Sequence, residues 1–262
     1  MKPVKILIAS LFATAATLTA MDVNEIVHKV DTRDDGDNMI AQMQMVLIDK
    51  HQNTRVRSMR NYTKDFGPDT YKAIFFLEPS DVRNTAFLTY DYDDEAKDDD
   101  QWLYLPALKK SKRIASTDKS GSFMGSDFTY SDMTKRDIED YTYKIIKEQE
   151  IDGHGVWVIE TTPKNDKVID ETGYTKSYMF VRKDNYVVIR ALHFLRDGGK
   201  HKYMEVKKLE KIDGIWTSTE IEMKTVKGKQ LLHATVLKFN DVKYNQPLDE
   251  SFFTVRRIEK GI

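Results

Sequence analysis

Cysteine is absent from this chain of 262 residues. No disulfide can brace the fold, no thiolate can serve as nucleophile, and no lipobox cysteine can carry a lipid, so the chain is not itself a lipoprotein. Its apolar core must therefore suffice alone. Proline is scarce, at 6 residues. No Pro- or Ser-rich linker divides the sequence, so one domain is expected over residues 21–262. An excess of charge of either sign is also missing: 41 Lys and Arg stand against 42 Asp and Glu. That balance excludes the basic footprint of a nucleic-acid partner.

Signatures of chemistry are just as scarce. There is no Gly-x-Ser-x-Gly elbow and no phosphate-binding glycine loop, because the stretch from Gly121 to Gly125 has no lysine and no strand-loop-helix setting. His28, His51, His154, His193, His201 and His233 form no metal-ligand spacing. The acidic run Asp91 to Asp100 fails as a calcium loop, with Ala96 where a glycine is needed and Trp102 where a bidentate glutamate belongs. It reads as a solvated hairpin loop. No metal, no cofactor and no enzymatic activity are expected.

One apolar run stands out, at the start. Lys2 and Lys5 precede the run from Ile6 to Phe12 and an Ala- and Thr-rich continuation. It is too short to span a bilayer and reads as a secretory signal peptide over residues 1–20, so the mature chain is expected in the periplasm. No later run is apolar enough to cross a membrane, and charge on most strands argues against a lipid-facing barrel.

Beyond it, Asp22 to Val30 has helical spacing, with Val23, Ile26, Val27 and Val30 on one face. The period then becomes two. Met39, Ala41, Met43, Met45 and Leu47 alternate with a half-polar set, as in a strand with one face toward an apolar interior. About a dozen such strands follow, mostly joined by short hairpin links such as Asp152-Gly153, Asp197-Gly198-Gly199 and Ile212-Asp213-Gly214. Consecutive hairpins predict a mainly β fold: a curved antiparallel meander forming an incomplete barrel. The strand around Tyr186 to Arg196 is apolar on both sides and needs double cover, for which the first helix and the loops around Phe123 and Phe128 are candidates.

The stretch Trp102 to Met133 resists assignment as sheet. Pro106 ends a short aromatic strand. A basic cluster follows at Lys109, Lys110, Lys112 and Arg113, and then a Gly- and Ser-spaced loop carrying Phe123, Met124 and Phe128. The basic cluster either protects a sheet edge or meets anionic head groups or an acidic partner. Met43, Met45, Phe75, Trp102, Tyr104, Leu105, Phe123, Met124 and Phe128 are either plain core or the lining of an apolar cavity; methionine adapts well to irregular guests.

The run Trp-Leu-Tyr-Leu-Pro-Ala-Leu-Lys-Lys-Ser-Lys-Arg-Ile from Trp102, with Phe-Met-Gly-Ser-Asp-Phe-Thr-Tyr-Ser-Asp from Phe123, resembles the outer-membrane lipoprotein-sorting proteins. These are the LolA-like periplasmic carriers, and the likeness is strongest to their longer, transporter-associated branch. The resemblance implies an open antiparallel barrel with a helix and loops as lid. It further implies a non-enzymatic carrier of lipidated or lipid-like cargo, such as lipoprotein acyl chains; separately, a monomer is expected. The alternative is a docking subunit of an inner-membrane transporter of the resistance-nodulation-division type, with no cargo of its own.

Overall fold

The computed structural model describes residues 21–94 and 96–262. The expected signal peptide lies outside the described residues. Thirteen strands form one sheet: β1 Asn38–Asp49, β2 Thr54–Phe66, β3 Asp69–Glu78, β4 Ala86–Asp91, β5 Asp100–Leu105, β6 Lys110–Arg113, β7 Tyr141–Ile151, β8 His154–Pro163, β9 Tyr174–Arg182, β10 Val188–Leu195, β11 Lys200–Ile212, β12 Ile215–Lys227 and β13 Gln230–Tyr244. Every pairing between them is antiparallel.

Strand order is β6-β5-β4-β3-β2-β1-β13-β12-β11-β10-β9-β8-β7. All neighbours are sequential hairpin partners except β1 and β13, which join the two ends of the meander. The sheet stays open between β6 and β7, and the chain segment 114–140 crosses that gap. Local chemistry explains the hairpins. Asp152-Gly153 and Asp213-Gly214 each place two successive residues at positive φ, between 50° and 90°. That is the primed turn whose twist matches the flanking strands, and its second position favours glycine.

On β1 the pattern predicted from sequence holds: Ala41, Met43 and Met45 are buried while Gln42 and Gln44 are exposed. Cross-strand register carries this inner face around the sheet. Met43 stands opposite Met59 and Phe239, Ile74 opposite Asn61 and Phe87, and Met223 opposite Met204 and Thr235.

Helix α1, Val23–Asp31, is capped by Asp22, whose carboxylate accepts from the Asn24 amide. Its Ile26 and Val27 are buried against Trp157, Ile159 and Val181. The helix expected from spacing is therefore the cover of the β8 and β9 part of the inner face. Two further helices went unread in the sequence. α2, Asp166–Thr172, is capped by Asn165 and ended by Gly173 at φ 79°. α3, Val255–Lys260, is capped by Thr254. Both are too short for a clear helical period to stand out.

Candidate functional site

The crossing segment 114–140 is a plug rather than a loose loop. Phe123 is fully buried and packs its ring 4.9 Å from Phe87 and 6.3 Å from Phe76, measured between centroids. Around it lie Met43, Met45, Met59, Ile74, Leu103, Ile114, Phe128 and Met133, with Leu105 and Met124 packed at the margin. Six of the residues singled out in the sequence, Met43, Met45, Leu105, Phe123, Met124 and Phe128, thus come together. They meet one another, however, and fill the β1–β5 flank.

Polar tethers fix the plug to both flanks. Lys72 Nζ donates to the Met133 carbonyl at 2.6 Å, and Gln101 Nε2 donates to that of Tyr130 at 2.9 Å. Arg57 donates to the carbonyl of Met124, a residue held at φ 51°. Asp127, 2 % exposed, accepts from the hydroxyls of Thr225 at 2.5 Å and Thr235 at 2.7 Å and is bonded to His233 Nδ1. Tyr174 donates to Asp132 at 2.8 Å. A carboxylate bonded by several donors at once is costly to release, because its partners would be left unsatisfied.

Phe75, Trp102 and Tyr104 require a correction. Strand alternation turns them to the opposite face, where Phe75 is buried under Phe253 and Ile258 of the C-terminal segment and Trp102 and Tyr104 pack against the same cluster. They do not line the interior. The aromatic strand looked like cavity lining because the sequence gives no sign of which face α3 will cover.

The basic cluster lies on β6, the free edge of the sheet. The sequence had shown it as a charged run, not a strand. Arg113 is paired with Asp100, and Lys112 stands 3.9 Å from Asp118. Lys109 and Lys110 are exposed beside Leu108, itself 64 % exposed.

Open space lies on the other flank. A partly open cavity of about 480 Å³ is bounded by α1, the plug and the inner face of β7–β12. Its apolar wall is Val27, Val30, Phe128, Met179, Val188, Ala191, Met204, Val206, Ile221 and Met223. At its exposed end stand Arg33, Asp35 and Lys135, the last two paired at 3.4 Å. Arg136 also lines it, with its guanidinium 5.5 Å from the Tyr174 ring centre and 5.9 Å from that of Tyr141.

His193 is at the bottom of this cavity, stacked on Tyr174 at 4.4 Å and bonded through Nδ1 to Ser177 at 2.7 Å. Burial, reinforced by Arg136 and Lys202, holds its imidazole well below the usual range and keeps it neutral. Among the described residues, no group of three or more His, Asp or Glu is arranged to hold a metal ion.

Of the cavity wall, sequence reading had named only Phe128 as a site residue. The signal was there in the alternation: Met204 and Val206 flank Glu205, and Ile221 and Met223 flank Glu222. A small residue, Ala191, sits mid-strand among large ones.

Comparison with known proteins agrees with this geometry. A family model described only as that of an uncharacterized protein matches residues 68–260. The solved structure of a DUF1329 family protein from Desulfovibrio piger superposes with a TM-score of 0.81 at 30% identity, covering 89% of this chain and 96% of that one. The chain belongs to the DUF1329 family, a LolA-like family. A second structure, described as an outer membrane lipoprotein-sorting protein domain from Vibrio parahaemolyticus, gives 0.80 at 31% identity, covering 90% and 97%. A LolA superfamily protein from Nitrosomonas europaea gives 0.68 at 18% identity, covering 90% and 99%, a likeness of fold. No curated protein matches the chain. The incomplete barrel with a helix and loops as lid is thus the LolA-like fold, and in this chain the gap between β6 and β7 is filled by the 114–140 plug.

Proposed function

We propose that this DUF1329 protein is a non-enzymatic periplasmic carrier of lipid-like amphiphiles, which it holds in the cavity under α1 and passes across the envelope toward the outer membrane. The observation that carries this reading is the cavity itself. Its volume of about 480 Å³ lies within the range of about 300–1,000 Å³ usual for small-molecule sites. An apolar wall and a charged end match a tail and a head group. Each methylene hidden from water contributes about 0.8 kcal/mol, so an acyl chain needs no covalent attachment to stay. The name borne by the Vibrio relative, lipoprotein sorting, points to the same kind of cargo.

Ala191→Trp tests the assignment by filling the cavity from its wall. Protein purified from the periplasm without detergent should carry an amphiphile visible by native mass spectrometry and should take up a fluorescent fatty acid. The variant should fold and do neither. Empty wild-type protein that takes up nothing would defeat the carrier reading.

A second reading has its own observation. Exposed Leu108 beside Lys109 and Lys110, on the free edge next to β6, fits docking to an acidic and apolar surface, such as an inner-membrane transporter of the resistance-nodulation-division type. Reversal of Lys109, Lys110, Lys112 and Arg113 should then abolish partner binding while leaving fatty-acid uptake intact.

A further inference from the structure

Lys202 projects from β11 on the inner face and is 8 % exposed. It lies opposite His193 and Thr225 on the neighbouring strands. Its ammonium has no carboxylate within 4 Å and no hydrogen-bond acceptor among the described residues; its near neighbour is the Tyr174 ring, 5.6 Å from Nζ to the centre. A buried cation without a counter-charge is costly to keep. Burial indeed pulls its affinity for a proton below that of an ordinary lysine, against the smaller pull of Asp132 and Asp127.

Lys202 does not face the cargo cavity. It lines a separate one of about 460 Å³ against the plug. Ser120, Ser122, Ser126 and Thr129 share its wall, so its lining is more polar than that of the cargo cavity. Arg196, Lys200 and Lys202 set three cations there against Asp127 and Asp197. Both acids are occupied: Asp197 is paired with Lys200 at 2.6 Å, and Asp127 is held by Thr225, Thr235 and His233. Arg196 is likewise paired with Asp170. Lys202 alone has unspent charge. The Ser120 hydroxyl makes no protein hydrogen bond among the described residues and can turn toward a guest.

We infer that this pocket is a binding site for a phosphate-type oxyanion, with the Lys202 ammonium as its counter-charge and the Ser120 hydroxyl as a donor beside it. An anion with several acceptor oxygens can take both the ammonium and the hydroxyl at once. The site is separate from the cargo cavity and stands whether or not the protein carries an amphiphile. Its ligand is either a free phosphate or the phosphate of a lipid head group.

The test uses the full mature chain, inorganic phosphate and two variants. Phosphate titrated by calorimetry should bind wild-type protein. Lys202→Met should weaken that binding about tenfold or more, the loss expected of a charged hydrogen bond, while Lys207→Met, on the same strand but paired with Glu205 outside the pocket, should leave it within about twofold. In phosphate-free buffer, Lys202→Met should melt no lower than wild type, because it removes a lone buried charge and keeps the stem's volume. Vesicles of phosphatidylglycerol, tested beside inorganic phosphate, separate the two sources: the tighter-bound of the two names it. Wild-type protein that binds neither, or equal binding by wild type and Lys202→Met, would overturn the site.

Discussion

The β1–β5 flank is covered on both faces, and the β9–β12 flank on one. On the first, the plug fills the inside with Phe123, Phe128 and Met133 while α3 and Phe253 cover the outside. On the second, α1 and the plug only roof the inner face, and the outer face carries ion pairs, Arg190 with Glu205, Lys224 with Glu222 and Lys238 with Glu220, beside the rings of Tyr178 and Phe194. Aromatics on both sides of a strand therefore mark a wall that the chain itself uses up. Clean alternation of methionine or valine with charge marks the wall that faces a void. Stability belongs to the first flank, and the binding proposed above belongs to the second.

The sharpest way to break this contrast is Phe123→Ala, which removes the centre of the plug. A loss of about 3–5 kcal/mol is expected in urea denaturation, since a buried Phe leaves a cavity that the surrounding strands cannot close. A loss under about 1 kcal/mol would mean the plug is not structural. Next comes a matched pair of methionines. Met59→Ala, at 1 % exposure on the filled flank, should cost about 2–5 kcal/mol. Met204→Ala, whose side chain already borders empty space, should cost under half of that. Equal costs would erase the distinction between the flanks.

A pH effect sharpens it further. Asp91 ends β4 on the filled flank and accepts from the Lys135 amide of the plug at 2.6 Å. Burial, and then the nearby Asp99, pushes its carboxyl up to about 7 from an ordinary 3.8. The folded chain therefore holds a proton that the unfolded chain has released, and between about pH 4 and 7 stability falls as pH rises. The slope from this one group is at most about 1.4 kcal/mol per pH unit. Asp91→Asn should flatten the curve in that window and raise stability above pH 7. An unchanged difference between wild type and variant from pH 4.5 to 7.5 would contradict the assignment. The smallest effect is expected on the outer face of the cavity flank. Glu222→Ala breaks a surface pair with Lys224 and should change stability by less than about 0.5 kcal/mol.

Much of the fold was legible in the sequence, because hairpin turns and period-two alternation are local. Asp213-Gly214 announces its turn, and Met39 to Leu47 announces its inward face. The open seam and its plug were legible only as a stretch unfit for regular sheet. What lay hidden was tertiary. Nothing local says that α3 covers Phe75, Trp102 and Tyr104, so three aromatics were read onto the wrong face. Nothing local says that Phe123 enters the interior in order to fill it. Met204, Val206, Ile221 and Met223 were visible as inward-facing positions, but which inward positions stay uncovered depends on where a helix 170 or more residues away in sequence comes to rest, roughly the separation of α1 from β11.

Methionine methyl groups report on both flanks at once, and they test the account most directly. With methyl-labelled methionine, laurate is titrated into delipidated protein and the carbon–proton spectrum is followed. The account predicts that Met179, Met204 and Met223 shift while Met43, Met45 and Met59 stay in place. Shifts centred on Met43, Met45 and Met59, or none at all, would contradict it.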